Sequence, residues 1–104
     1  MLQLRILEGR ALAVVLCDVC QKQIKDVGMA MVRWGRTEEK DGIVITDLLY
    51  CHKGECDETA NNSRRDDQWW ELQHFLVRLA MNSGMTPESF ASAIETVKRL
   101  DTIA

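Results

Sequence analysis

The chain carries the stretches CDVC at residues 17–20 and CHKGEC at residues 51–56, and these two stretches contain all four of its cysteines. Two thiolates separated by two residues can bind one cation, because the intervening turn brings both sulfurs to the same side. A second pair of ligands from a distant segment would complete a tetrahedron and cross-link the fold. The spacing therefore predicts a structural zinc site, with Cys17, Cys20 and Cys56 as three of its four ligands.

The fourth ligand is a choice between two neighbouring residues, Cys51 and His52. Adjacent side chains on a strand point to opposite faces, so only one of the two is expected to reach the ion. With His52 the site has three cysteines and one histidine, and Cys51 becomes a small core residue. With Cys51 the site has four cysteines. The compact loop from His52 to Cys56 favours His52, and Cys51 remains the alternative.

The stretch CDVCQKQI at residues 17–24 resembles the first knuckle of zinc-ribbon and treble-clef domains. The resemblance covers residues 14–56 and implies a small zinc-binding domain in which the metal is structural. The chain departs from the usual ribbon in its second half, where CHKGEC stands in place of a second Cys-x2-Cys pair. The resemblance is therefore to small zinc-binding domains as a class.

Composition and charge are those of an ordinary soluble domain. A chain of 104 residues corresponds to one domain, and 46% hydrophobic with 28% charged residues is a globular composition. The net charge of -3 supplies no basic field for non-specific nucleic-acid binding. No secretory signal is evident, and the longest apolar run, residues 11–16, is too short to span a bilayer. We therefore expect no membrane association and a cytoplasmic location, where cysteines stay reduced.

Residues 1–56 are predicted to form the β-rich, zinc-binding half of the domain. Alternating apolar residues, β-branched runs and turn signals predict four strands, at residues 2–6, 11–16, 28–35 and 43–50. The polar segment 37–42 ends in Asp-Gly and is predicted to be the turn between the last two strands. A single small antiparallel sheet is thus expected to carry both cysteine clusters at its edges.

Residues 63–104 are predicted to form a helical hairpin, after a polar loop at residues 57–65. A capping box at residues 63–66 predicts a first helix from about Arg64 to Asn82. Thr86-Pro87-Glu88 starts a second helix that runs to about Asp101. Its apolar stripe is expected to be one buried face, made of Phe90, Ala93, Ile94, Val97 and Leu100. The predicted fold is a single α+β domain over residues 1–104, with a small antiparallel sheet, a zinc knuckle and two C-terminal helices.

The first predicted helix carries the best indication of function, because it is apolar on two sides. One side is a broad core face, made of Trp69, Leu72, Phe75, Leu76, Leu79 and Ala80. The second side is made of Trp70, His74, Val77 and Met81. A helix this apolar must be covered on both sides. The second side is therefore either packed on the second helix or free to bind a protein partner or a second copy of the chain.

The function predicted from these features is a non-enzymatic binding or adaptor module with a structural zinc ion. The alternative is a transcription-associated nucleic-acid-binding protein, for which Arg33, Arg36 and Lys53 are the only support. A Cys-x2-Cys redox protein is a further alternative, but that motif normally opens a helix rather than following a strand. The sequence contains no metalloprotease helix, phosphate loop or nucleophile elbow, so no enzyme is expected.

Overall fold

The computed structural model describes residues 1–45, 47–65 and 67–103, and of residues 102 and 103 only the backbone. The described residues form seven strands: β1 (Leu2–Leu7), β2 (Arg10–Val15), β3 (Ala30–Trp34), β4 (Arg36–Glu39), β5 (Gly42–Ile45), β6 (Leu49–His52) and β7 (Gln68–Glu71). They also form three α-helices: α1 (Glu55–Ser63), α2 (Leu72–Asn82) and α3 (Pro87–Ile103). The predicted α+β class with two C-terminal helices is confirmed.

The strands form three small antiparallel sheets, so the prediction of one sheet is wrong. Strands β1 and β2 form a hairpin by themselves, β4 and β5 form a second, and β3 lies between β6 and β7 in a three-stranded sheet. The first hairpin turns at Glu8 and Gly9, whose φ angles of 53° and 78° are both positive. Positive φ at both central residues is typical of a type I′ turn, which closes a tight two-residue hairpin.

The predicted strand at residues 43–50 is two separate strands. Residues 42–45 form β5 and pair with β4, and the turn between these two strands lies at Lys40 and Asp41. The polar segment predicted as a turn is therefore partly strand. Residues 49–52 instead pair with β3, placing Ala30 opposite His52. Burial separates the two halves, because Tyr50 and Cys51 are buried whereas Ile43 is exposed. Thr46, within the predicted strand, lies outside the described residues.

Two predictions for residues 57–82 are also wrong. The predicted loop is mostly helix α1, whose first turn carries three acidic residues that interact favourably with the helix dipole. The predicted capping residue Ser63 ends this helix, and Asp66 lies outside the described residues. The next helix begins at Leu72, because residues 68–71 form β7 and pair with β3. The predicted end of this helix is confirmed, since Gly84 follows it with a φ of 91°.

The buried core lies between the three-stranded sheet and the start of α2. It contains Cys17, Ile24, Ala30, Met31, Val32, Tyr50, Cys51 and Leu72. Leu72, the first residue of α2, is fully buried against this sheet. Because Cys17 belongs to the same cluster, the candidate metal ligands border the core directly.

A buried arginine joins the sheet to α1. Arg33 on β3 is only 3% exposed. Its Nη1 donates to Asp57 Oδ1 at 2.6 Å, and its Nη2 donates to Asn61 Oδ1 at 3.2 Å and to the Arg64 carbonyl at 2.9 Å. Asp67 Oδ2 lies 3.6 Å from Arg33 Nε. The guanidinium therefore fixes α1, which also carries Cys56, against the central strand.

Helix α3 begins as predicted, but its apolar stripe is exposed. Thr86 and Ser89 exchange hydrogen bonds between side chain and backbone at the helix start, at 2.8 and 3.1 Å. Phe90 is 51% exposed, Val97 53% and Leu100 60%, so the predicted burial of this stripe within the chain is wrong. The radius of gyration is 16.2 Å, against about 13 Å for a compact domain of this length.

Across the described ranges, each helix falls short of the combined length and apolar character needed to cross a bilayer.

Candidate metal centre

Three separate segments bring four potential ligands together. Cys17 and Cys20 lie in the turn after β2, His52 ends β6, and Cys56 lies in the first turn of α1. The chain turns from β6 into α1 at Gly54, whose φ of 88° is a conformation that side chains with a Cβ rarely adopt. This bend places the end of a strand and the start of a helix against the same turn.

The ligand atoms of Cys17, Cys20, His52 and Cys56 all lie within 4.8 Å of one another. His52 Nδ1 is 3.5 Å from Cys20 Sγ and 3.9 Å from Cys56 Sγ. Cys17 is buried and the other three residues are half-buried, so the cluster is enclosed but lies near the surface. All four cysteines of the chain carry free thiols. Three sulfurs and one imidazole nitrogen gathered in this way could hold a metal ion.

Cys51 does not belong to this group of four ligand atoms. It is fully buried in the core with Leu72 and Val32, whereas its neighbour His52 belongs to the cluster. Burial, followed by the negative charge of Asp57, raises the pKa of Cys51 to about 12. The pKa of Cys56 is raised equally, so the choice between Cys51 and His52 rests on position: the ligand atom of His52 lies within 4.8 Å of those of the three other residues. Of the two alternatives for the fourth ligand, the structure therefore places His52 with the other three residues.

The turn that carries the first two cysteines is held by its own backbone. The N–H groups of Val19 and Cys20 point at Cys17 Sγ, at 3.4 and 3.5 Å. The Gln21 N–H donates to the Cys17 carbonyl at 2.9 Å, and Gln21 itself has a φ of 66°. Since a non-glycine residue seldom adopts this conformation, the turn is locally strained. It presents both sulfurs on one side.

The cysteine sulfurs influence one another electrostatically. Burial opposes ionisation of Cys17, but the backbone N–H groups of Cys20, His52 and Val19 outweigh it and lower its pKa to about 6. Burial raises the pKa of Cys56 to about 12, with further contributions from its contacts with the Cys17 and Cys20 sulfurs. Without a metal, one sulfur of the cluster thus favours the thiolate and another the protonated thiol. A divalent cation would favour the thiolate form of every sulfur that it binds.

The residues predicted to bind a partner do not form one helical face. Trp70 lies on β7, where its ring packs edge-on against Trp34 at 4.7 Å between centroids and lies 4.6 Å from the Arg78 guanidinium carbon. His74, Val77 and Met81 lie on α2 and are exposed. Trp69 and Trp70 are adjacent and directly precede the helix, so they fit either a strand or a first helical turn, and the sequence alone could not separate Trp70 from the residues of α2.

An apolar groove runs between the end of α2 and the start of α3. Its volume is about 320 Å³, and Val77 and Met81 form part of its wall. The other lining residues are Leu76, Ala80, Met85, Thr86, Pro87 and Phe90. The sequence pattern did not indicate that Met85, Pro87 and Phe90 help to line this groove. The signal available was the short connection between the two predicted helices, which had to bring their adjoining ends together.

The basic residues considered for nucleic-acid binding do not form a common surface. Arg33 is buried and paired with Asp57. Lys53 Nζ lies 2.7 Å from both carboxylate oxygens of Glu71 and donates to the Gly28 carbonyl at 3.0 Å. Of the three, Arg36 is the exposed one.

No protein-family model, curated protein or solved structure matches this chain.

Proposed function

We propose that this protein is a non-enzymatic zinc-binding module in which the metal stabilises the fold and an exposed apolar surface binds protein. The observation that carries the proposal is the cluster of Cys17, Cys20, His52 and Cys56, whose ligand atoms lie within 4.8 Å of one another. Thiolate and imidazole ligands together suit zinc, and Cys₃His is a common structural zinc set.

The spacing of the ligand atoms supports a tetrahedral ion. With Zn–S bonds of about 2.3 Å and a Zn–N bond of about 2.0 Å, tetrahedral edges are about 3.8 Å between sulfurs and about 3.5 Å between sulfur and nitrogen. The measured distances from His52 Nδ1, 3.5 Å to Cys20 Sγ and 3.9 Å to Cys56 Sγ, agree with the second value. The ligand atoms lie within 4.8 Å of one another, so the longest separation needs to shorten by about 1 Å at most to close the site around one ion.

A structural role for the metal follows from the number and origin of its ligands. Four protein ligands complete a tetrahedral shell and leave no position for water or substrate. The ligands come from the turn after β2, the end of β6 and the start of α1, so one ion would tie three segments together. Cys17 belongs to the core and Cys20 and Cys56 pack against it, so the ion would hold these segments to the core.

The protein-binding role rests on the exposed apolar surface of the two C-terminal helices. Exposed side chains line the groove between α2 and α3 and continue along α3 as Phe90, Val97 and Leu100. Contiguous exposed apolar surface of this kind commonly marks an interaction site. The nucleic-acid alternative keeps only Arg36 of its three supporting residues, because Arg33 and Lys53 are engaged in ion pairs.

The proposed ligand set is tested by changing the two neighbouring residues separately. We expect Cys51→Ala to retain one zinc ion per chain and to lose about 1 kcal/mol of stability, because it removes one buried sulfur. His52→Ala is expected to lose most of its zinc during purification without chelator, because only three ligands remain. Zinc content by elemental mass spectrometry and thermal unfolding by circular dichroism measure both effects.

His74→Ala is the matched control, since His74 is the other histidine of the chain and is exposed on α2. It should retain zinc and melt close to the wild type. Full zinc content in His52→Ala together with loss of zinc in Cys51→Ala would overturn the assignment of His52. Absence of zinc from the wild-type protein would overturn the proposal as a whole.

A further inference from the structure

We infer that the partner of the apolar helical surface is a second copy of this chain, and that the two α3 helices pair antiparallel in a symmetric dimer. The inference rests on the proposed function and names the partner of its protein-binding surface. It is carried by three features of the described residues: the surface area of the chain, the arrangement of apolar residues on α3, and the distribution of charge along that helix.

A single chain exposes more surface than its mass explains. Its accessible surface is 7987 Å², whereas a compact monomer of 11.9 kDa exposes about 6,000 Å². The excess of about 2,000 Å² is larger than the roughly 800 Å² that each partner contributes to an interface of standard size. The projecting β1–β2 hairpin contributes to this excess, and so does α3 with its exposed stripe. The chain therefore has enough surplus surface for a stable dimer interface.

The apolar stripe of α3 is complementary to itself in the antiparallel direction. The helix runs from Pro87 to Ile103, so its midpoint is Glu95. Phe90 and Leu100 each lie five residues from this midpoint, and in an antiparallel pair each would face the other residue of the second copy. Ala93 and Val97 each lie two residues from it, which sets a small side chain opposite a branched one. Such pairing of large with small residues lets two helices approach closely.

Charge along α3 also favours the antiparallel arrangement. Residues 87–95 carry two acidic residues and no basic residue, whereas residues 96–103 carry two basic residues and one acidic residue. An antiparallel pair sets the acidic half of each helix beside the basic half of the other. The helix dipoles also oppose each other in this arrangement. A parallel pair would place like charges side by side along the whole length.

The groove between α2 and α3 would receive the end of the second helix. Phe90 lines this groove, and Leu100 of the second copy lies opposite Phe90 in the antiparallel register. The exposed side chain of Leu100 would thus enter the apolar groove, beside Val77 and Met81. The contact occurs twice, once on each side of the two-fold axis, as an isologous interface requires. Four helices would then enclose the apolar surfaces that α2 and α3 of one chain leave exposed.

The test is the molar mass of the full-length zinc-loaded protein in solution, measured by light scattering at about 50 µM. We expect a mass of twice 11.9 kDa for the wild type. Val97→Glu places a charge in the middle of the stripe and should weaken association at least 100-fold, so that this variant is a monomer. Ser92→Glu adds the same charge on the opposite side of α3 and should remain a dimer. Leu100→Glu is a second disrupting variant that should behave as Val97→Glu does.

Circular dichroism and zinc content confirm that each variant is folded, as expected for residues that are exposed in the single chain. A wild-type monomer that retains zinc would overturn the dimer and leave the metal proposal intact. A dimer that persists in both Val97→Glu and Leu100→Glu would also overturn it. Loss of zinc from the wild type would instead count against the proposed function.

The antiparallel direction is tested by placing the photo-crosslinker p-benzoylphenylalanine at Phe90. Irradiation should yield a covalent dimer in which this residue is attached to the tryptic peptide that begins at Leu100. Attachment to position 90 itself in the second copy, located by fragmentation of the tryptic peptide of residues 79–98, would show a parallel pair and would contradict the proposed arrangement.

Discussion

Cys56→Ala is expected to abolish tight metal binding and to destabilise the fold by at least about 4 kcal/mol, or about 15–30 °C in Tm. Structural zinc contributes an apparent binding free energy of about 10–16 kcal/mol in small zinc domains, and a typical domain is stable by only about 5–15 kcal/mol. Losing one of the four ligands is therefore expected to remove a large fraction of the free energy of unfolding. Thermal unfolding by circular dichroism, with and without added zinc, measures the loss.

The matched control is Cys51→Ala, which makes the same substitution five residues earlier. Cys51 lies in the core and outside the cluster, so its replacement should cost about 1 kcal/mol and leave zinc content unchanged. Treating the wild type with a chelator should reproduce the Cys56→Ala result, and returning zinc should reverse it. Equal melting temperatures for Cys56→Ala and Cys51→Ala would show that the metal does not hold this fold.

Arg33→Met is expected to lower the free energy of unfolding by about 3–5 kcal/mol, because it removes the buried donor of Asp57, Asn61 and the Arg64 carbonyl. Asp67 keeps its 2.7 Å ion pair with Arg64. The Asp67 side chain is only 6% exposed, and Asp57 loses a 2.6 Å ion pair. The same change should weaken zinc binding, because Arg33 holds the helix that carries Cys56 against β3. Urea denaturation measures the stability, and a competition titration with a zinc chelator measures the affinity.

Arg36→Met tests whether the effect belongs to the buried ion pair. Arg36 lies on the exposed strand β4, and its replacement should change stability by no more than about 0.5 kcal/mol. Arg33→Lys should lose less stability than Arg33→Met and more than Arg36→Met. A lysine can pair with one carboxylate but cannot also reach Asn61 and the Arg64 carbonyl. If Arg33→Met were as mild as Arg36→Met, the arginine would not be holding α1 in place.

The cluster of candidate ligands could be predicted from the sequence because its rules are local. Two cysteines three positions apart share a turn, and Cys51 and His52 point in opposite directions on any strand. The sequence could not say which of these two faces the cluster, since both faces of the predicted strand were similarly apolar. In the structure β6 pairs with β3, and in this pairing Cys51 lies in the core.

The sheets and the first helix could not be predicted, because their determinants are tertiary. Trp69 and Trp70 fit the periodicity of the following helix, yet they pair with β3 as a strand. Helix α1 is polar and has one buried residue, Ala60, so it gives no periodic signal. It is held by Arg33, which lies more than twenty residues earlier in the chain. Long-range contacts of this kind override local propensity.

The predicted stripe of α3 shows a different limit of sequence analysis. Its spacing correctly indicated an apolar face, and the helix start at Thr86 and Pro87 was confirmed. The pattern does not say what covers that face. In the single chain the stripe is exposed, and this exposure is the basis of the proposed dimer.

The central claim is most directly tested by zinc K-edge X-ray absorption of the protein purified without chelator. The account predicts one zinc per chain with three sulfurs at about 2.3 Å and one nitrogen at about 2.0–2.1 Å. In Cys51→Ala the spectrum should be unchanged, and the imidazole signal should come from His52. A shell of four sulfurs would assign Cys51 in place of His52, and a shell dominated by oxygen, or no bound zinc, would contradict the account.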